Sequence, residues 1–146
     1  EQASAFFRDV PSIRQPAETL CELGLAYLKL GQPATSLSGG EAQRLKLARF
    51  LTQPSRRTRC PALLVLDEPT AGLHPHDVIR LLHVFRRLLD AGHTLCVVEH
   101  QLDVLRAADW IIELGPGAGP DGGRLIAAGP PAELRRHRSS SLAGLL

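Results

Sequence analysis

Two apolar runs of strand length, Ala62-Leu63-Leu64-Val65-Leu66 and Thr94-Leu95-Cys96-Val97-Val98, constrain this chain more than any other feature. A continuous apolar run of this length suits a strand covered on both faces, the usual condition in a parallel sheet. Between the runs, Pro75 opens a helical pattern that continues to Leu89, and Ala91-Gly92-His93 supplies its stop. Strand, helix and strand in that order predict a right-handed βαβ unit and an α/β fold built on a parallel sheet. Such sheets bind ligands at the carboxyl ends of their strands. Asp67 and Glu68 follow the first run directly, and Glu99 and His100 follow the second, so the pattern brings them to one edge.

The surrounding segments are read from periodicity and from helix breakers. Ala3, Phe6, Phe7 and Val10 have helical spacing that Pro11 stops, and residues 13–25 carry a second helical pattern, so the chain opens as a helical arm. Residues 27–30 are a short extended candidate, and loop chemistry follows from Gly31 to Thr35. The next helix is expected over 38–53, with Leu45, Leu47, Ala48, Phe50 and Leu51 as its apolar face. A helix near 102–107 precedes two strands, 110–114 and 124–128, which flank a long Gly/Pro loop as a β-hairpin. No helix follows the glycines of that loop; a strand does, which excludes a dinucleotide fingerprint there. A short helix over 131–136 and a Ser-rich tail close the sequence.

Composition narrows the class but does not name a partner. The 17 basic and 15 acidic residues are mixed along 146 positions, so no charge field announces nucleic acid or a membrane. No apolar segment approaches a membrane-spanning length, and the N-terminus lacks the pattern of a signal peptide, which reads as a soluble cytoplasmic protein. Cys21, Cys60 and Cys96 are odd in number and far apart. They suit neither a disulfide framework nor a zinc site, and are expected to be buried small apolar residues. Methionine is absent even at position 1, which points to a piece of a longer chain. Arg56, Arg57 and Arg59, and again Arg135, Arg136 and Arg138, are short basic runs that can meet DNA phosphate or lie on a solvated face.

Two stretches carry chemistry. In Leu37-Ser38-Gly39-Gly40-Glu41-Ala42-Gln43, Ser38 and Glu41 satisfy a capping box, so local physics alone accounts for a helix start. Gly39 and Gly40 are not accounted for in that way, since glycine inside a helix costs about 1 kcal/mol against alanine. A helix start with bare backbone and a hydroxyl makes an anion site that suits a terminal phosphate. The second stretch is Leu63 to His74, LLVLDEPTAGLH. Its Asp-Glu-Pro is good turn chemistry, and an acidic turn is one reading. The other is a nucleoside-triphosphate hydrolase site, in which the first acid helps hold magnesium and the next orients or deprotonates the attacking water. His100, able to donate to a phosphate, favours the second.

These stretches resemble, in order, the motifs of the ATP-binding-cassette ATPases. LSGGEAQ resembles their signature sequence, LLVLDEP their Walker B strand, Thr70-Ala71-Gly72-Leu73-His74 their D-loop and His100 their switch histidine. More narrowly, LKLGQPATSLSGGEAQRLKLA, LDEPTAGLHPHD, VVEHQLDVLRAADWIIELGP and the GG…AAGPPAEL ending are similar to the C-terminal cassette of the UvrA family, the damage-sensing component of the ABC excinuclease. The resemblance implies a partial P-loop NTPase domain. It divides into a helical arm with the signature over 1–54, the Walker B, D-loop and switch-histidine half of the core over 55–134, and a polar tail over 135–146. It also implies roles: Ser38, Gly39 and Gly40, with Glu41 beside them, contact the nucleotide, Asp67 serves Mg2+, Glu68 is the general base and His100 senses the γ-phosphate.

The departure from the family pattern is equally specific. A Walker A loop needs Gly-Lys-Ser/Thr, whereas the only lysines here are Lys29 and Lys46, each between two leucines. By resemblance, then, the ATP touched by this signature is held by a second cassette of the same polypeptide, and this chain alone is inactive as an ATPase. The implied setting is ATP-controlled DNA damage recognition in nucleotide excision repair, with a homodimeric parent, DNA and the excinuclease B subunit as partners, no membrane, and zinc only outside this chain. An ABC-transporter ATPase subunit is the alternative, and a non-catalytic interaction module that kept the fold is a third.

Overall fold

The computed structural model describes residues 1–52, 61–117 and 122–146. Arg56, Arg57, Arg59 and Cys60 lie outside the described residues. The chain forms two compact units, Glu1–Glu99 and His100–Leu146. Among the described residues, no helix is long and apolar enough to cross a membrane.

The first unit holds α1 (Gln2–Phe6), α2 (Pro11–Glu22), a single 3-10 turn (Ala34–Ser36), α3 (Gly39–Thr52), β1 (Leu63–Asp67), α4 (Pro75–Asp90) and β2 (Thr94–Val98). The strands pair in parallel, Leu63 opposite Thr94 through Asp67 opposite Val98, with α4 as the connection between them. Pro75 occupies the first turn of α4, where its missing N–H costs nothing, and His74 Nδ1 caps that turn by accepting from His76 N–H. From there Val78, Leu81, Val84, Phe85 and Leu88 recur at helical spacing and are all buried. They share the core with Leu64 and Leu66 of β1 and with Leu23 and Leu25. Helix α2 packs on α3 and on α4. Gly24, at φ +72, ends α2, and a side chain there would come within 2.8 Å of Leu73 Cδ2.

The second unit holds α5 (Leu102–Ala107), β3 (Ile111–Gly115), β4 (Arg124–Gly129) and α6 (Pro131–Leu134). The two strands form the expected antiparallel hairpin, Ile111 opposite Gly129 through Gly115 opposite Arg124, with an irregularity between Glu113 and Leu114. Ile111, Ala127, Leu134 and Leu146 form its core.

Several expectations are corrected. The apolar runs are covered on one face only: Leu64 and Leu66 are buried while Leu63 and Val65 are about two-thirds exposed, and Cys96 and Val98 are exposed as well. The alternating burial along β1 marks one face of this described two-stranded sheet as open. Cys21 is only partly buried and Cys96 lies on that open face, so neither is the buried apolar residue expected. Residues 27–30 form no strand: Gln32 N–H donates to the Lys29 carbonyl in a turn, and among the described residues no strand pairs with them. Pro11 does not stop a helix; it starts α2. On α3 the buried positions are Arg44, Leu47 and Ala48, while Leu45 and Phe50 are exposed.

The tail is not simply a polar extension. Ser140 and Leu146 are buried. Glu113 accepts from the Ser140 hydroxyl and from both the hydroxyl and the N–H of Ser141, the last at 2.8 Å. Burial pushes the Glu113 carboxyl up, but those serine hydrogen bonds, with His137 nearby, outweigh it and hold the group below its usual value.

Leu81→Ala is expected to cost about 2–5 kcal/mol, as for other large-to-small core changes. Val65→Thr, on the open face, is expected to stay within about 0.5 kcal/mol. Urea unfolding of both variants checks the one-sided sheet, and equal losses would contradict it.

Candidate functional site

The sequence at 37–44 folds as its capping pattern requires. Ser38 N–H donates to Glu41 Oε2 at 2.6 Å, and Glu41 N–H donates back to Ser38 Oγ at 3.3 Å, which completes both arms of the capping box. Ala42 N–H then closes the first turn onto the Ser38 carbonyl. Tyr27 donates its hydroxyl to Glu41 Oε1. The Tyr27 hydrogen bond, followed by those of Ser38, holds the Glu41 carboxyl below its ordinary value.

The two glycines have different surroundings. A side chain added at Gly39 meets nothing within 4 Å, so its backbone is open to a ligand. One added at Gly40 meets Arg44 Nη1 at 3.3 Å and the Ala71 carbonyl at 3.4 Å. A side chain at Gly40 would therefore crowd Arg44 and touch the loop after β1, a packing contact that Gly39 lacks.

That loop begins with the candidate catalytic pair. Asp67 ends β1, and both Asp67 and Glu68 are exposed at the carboxyl edge of the parallel strands. Glu68 lies at φ 44, the left-handed region, and does so directly before proline, where an extended residue is usual. Such a backbone costs about 1–3 kcal/mol and persists only where its surroundings over-determine it. The surroundings are explicit. Glu68 N–H donates to the Val98 carbonyl at 2.9 Å, and the Glu68 carbonyl accepts from Ala71 N–H at 3.0 Å. Asp67 N–H donates to Gln43 Oε1 at 3.1 Å. Thr70 donates both its N–H, at 2.8 Å, and its hydroxyl to Glu99 Oε1.

The residue that the sequence reading missed is Arg44. Its side chain is 2% exposed. Nη1 donates to the Pro69 carbonyl at 2.8 Å and to the Ala71 carbonyl at 3.2 Å, while Nε is buried without a partner among the described residues. Burial lowers the guanidinium's pKa, an effect opposed by Tyr27 and Glu41; arginine nonetheless stays charged in proteins. Hydrogen bonds to a charged group contribute about 1.5–3 kcal/mol. A signal was available: Arg44 stands three and four residues before Leu47 and Ala48, so helical spacing puts it on the buried stripe.

The first unit thus brings Ser38, Gly39, Gly40, Glu41, Asp67 and Glu68 into one connected framework. His100 opens the second unit, directly before Gln101, whose Oε1 accepts from Leu102 N–H at the start of α5. Among the described residues, no group of three or more His, Cys, Asp or Glu side chains could hold a metal ion. Asp67 still fits magnesium, which takes one or two carboxylates and completes its shell with water and substrate phosphate.

The chain is 51% identical over all 146 residues to the UvrABC system protein A of Vibrio parahaemolyticus, and 54% identical over 134 residues to that of Methanothermobacter thermautotrophicus. It spans about 15% of the length of these curated relatives. The crystal structure of UvrA2 from Deinococcus radiodurans matches 99% of the chain with a TM-score of 0.84 and 51% identity, over 17% of its own length. A bacterial Atm1-family ABC exporter solved with ATP bound matches 92% of the chain at a TM-score of 0.55 and 26% identity, over 23% of its own length. No protein-family model matches the chain. The neighbours make the fold that of a P-loop, ABC-type ATPase cassette.

The lowered Glu41 value has a pH consequence. A carboxyl whose folded value lies below its unfolded one stabilises the fold fully above the unfolded value, about 4.3, and loses that contribution as pH falls through the folded value. The stability difference between the natural chain and Glu41→Gln, followed by urea unfolding, is expected to be flat above about pH 5.5 and to shrink as pH drops below about 4. A difference that grows on acidification would contradict the capping geometry.

Proposed function

We propose, for a chain that belongs as a segment to the UvrA family, that it supplies the signature, Walker B, D-loop and switch histidine of a cassette that hydrolyses ATP. The observation that supports this best is Glu68: an exposed carboxylate directly after Asp67, held in a strained conformation at the carboxyl end of a parallel strand. Strain of this kind concentrates at functional sites.

In this reading Glu68 is the general base that accepts the proton of the attacking water. Asp67 helps hold Mg2+, which when bound neutralises charge on the phosphates. His100 donates a hydrogen bond to the γ-phosphate. Ser38, Gly39 and Gly40 face the γ-phosphate of an ATP held elsewhere, and Glu41 orders that helix start through the capping box. The Ser38 hydroxyl accepts from Glu41 N–H and keeps its own proton for a phosphate oxygen. The given residues contain no Gly-Lys-Ser/Thr, and in this reading the phosphate cradle facing Ser38 is assigned to a second cassette of the parent polypeptide.

The parent's activity, ATP-controlled DNA damage recognition in nucleotide excision repair in the cytoplasm, is part of this proposal. So are its homodimeric state and its partners, DNA and the excinuclease B subunit, with zinc confined to parts outside this chain. Arg135, Arg136 and Arg138, all exposed, are the described residues that offer phosphate contacts. The transporter reading is weaker: the exporter matches at 26% identity where the UvrA2 protein matches at 51%.

In the full-length polypeptide, Glu68→Gln is expected to retain ATP binding and to lower turnover at the site served by this Walker B by about 10²–10⁴-fold, the usual weight of a general base. An unchanged single-turnover rate would remove Glu68 from that role. The isolated chain is expected to show no ATP binding by calorimetry at micromolar concentration, and tight binding there would contradict the missing cradle.

A further inference from the structure

Two consecutive side chains of α3 hold the backbone on either side of Glu68. Gln43 Oε1 accepts from Asp67 N–H at 3.1 Å, one residue before it. Arg44 Nη1 donates to the Pro69 carbonyl at 2.8 Å, one residue after it, and to the Ala71 carbonyl at 3.2 Å. Gly40, one turn earlier on the same helix, lies directly against Ala71. The open end of that helix is Ser38-Gly39, and the strained residue between the two grips is Glu68. A helix moves as a rigid body over so short a span, so a displacement at its start reaches positions 43 and 44 undiminished.

We propose that Gln43 and Arg44 are positioning residues: they tie the conformation of Glu68 to the seating of the signature end of α3. The inference deepens the ATPase reading and rests on it. In that reading the signature touches an ATP held by the other cassette, whereas Glu68 acts on the site of its own Walker B. Gln43 and Arg44 then form the linkage by which occupancy of one site sets the base of the other. Neither residue touches substrate. Both act through the backbone of Asp67, Pro69 and Ala71, and they need no step other than the proton transfer to Glu68. The buried charge suits this task, because a planar guanidinium that must keep two backbone carbonyl acceptors tolerates few alternative placements.

The test is steady-state and single-turnover ATP hydrolysis by the full-length polypeptide carrying Gln43→Met, Arg44→Met, Arg44→Lys or Glu68→Gln. Gln43→Met keeps the side-chain length and removes the amide, and with it the acceptor for Asp67 N–H. It is expected to lower kcat about tenfold or more while KM for ATP changes less than about twofold, because misplacing a reacting group by about 1 Å costs on the order of 10²-fold. Arg44→Met is expected to do the same, with partial recovery of kcat in Arg44→Lys, which keeps a cationic donor. If Arg44→Met fails to fold, Gln43→Met, at a partly exposed position, decides alone. If Glu68→Gln stalls turnover but Gln43→Met leaves kcat unchanged, or raises KM alone, the positioning role is overturned and the ATPase reading survives. If Glu68→Gln itself leaves turnover unchanged, the ATPase reading falls and this inference falls with it.

Discussion

Arg44 carries a full positive charge into a position that is 2% exposed, and much of the first unit is arranged around its hydrogen bonds. Removing a charge from water costs several kcal/mol unless it is well paired, and a guanidinium meets that demand with donors in a rigid fork. Here the acceptors are two backbone carbonyls, those of Pro69 and Ala71. Main-chain acceptors fix the position of a loop rather than of another side chain. The loop so fixed follows Asp67 and Glu68 directly, and the helix that fixes it begins at Ser38-Gly39-Gly40. One buried side chain therefore joins the helix start to the candidate catalytic pair.

Other features of the unit depend on that junction. A side chain at Gly40 would crowd Arg44 and rest against Ala71. Gly24 lies close against Leu73, farther along the same loop, so two glycines from different elements accommodate it. Thr70 is held by Glu99, the residue after β2, and Glu68 by Val98 and Ala71. The strain at Glu68 is sustained by these contacts together, which is the condition under which a left-handed residue before proline survives. The second unit uses a similar device for a different end. Glu113, buried on β3, gathers Ser140 and Ser141 and so anchors the tail over the hairpin core.

The sequence made the architecture legible where periodicity and punctuation agree. The parallel β1–β2 pair with α4 between them, the capping box at Ser38 and Glu41, and the 111–129 hairpin each follow from patterns of a few residues. What it concealed has physical causes. Val65 and Cys96 read as core because an apolar run does not say how many faces are covered, and the described sheet covers one. Residues 27–30 read as a strand from composition alone, yet a strand needs a neighbour. Arg44 was overlooked because charge suggests solvent, and its partners are backbone atoms far away in sequence. The tail was read as polar because serines buried against a carboxylate are indistinguishable, in sequence, from serines in water. Asp67, Glu68 and the signature residues stand out as candidates because their residue types and spacing match those that ligand chemistry would require.

The central claim is that Ser38-Gly39-Gly40 forms an open phosphate-facing end whose nucleotide is held outside this chain. Amide hydrogen exchange at Gly39, Gly40 and Glu41 tests it most directly, measured with and without ATP in the isolated chain and in the full-length polypeptide carrying Glu68→Gln. The account predicts that ATP slows exchange at Gly39 and Gly40 in the full-length polypeptide and changes nothing in the isolated chain. Slowed exchange in the isolated chain, or none in the full-length polypeptide with ATP bound, would contradict it.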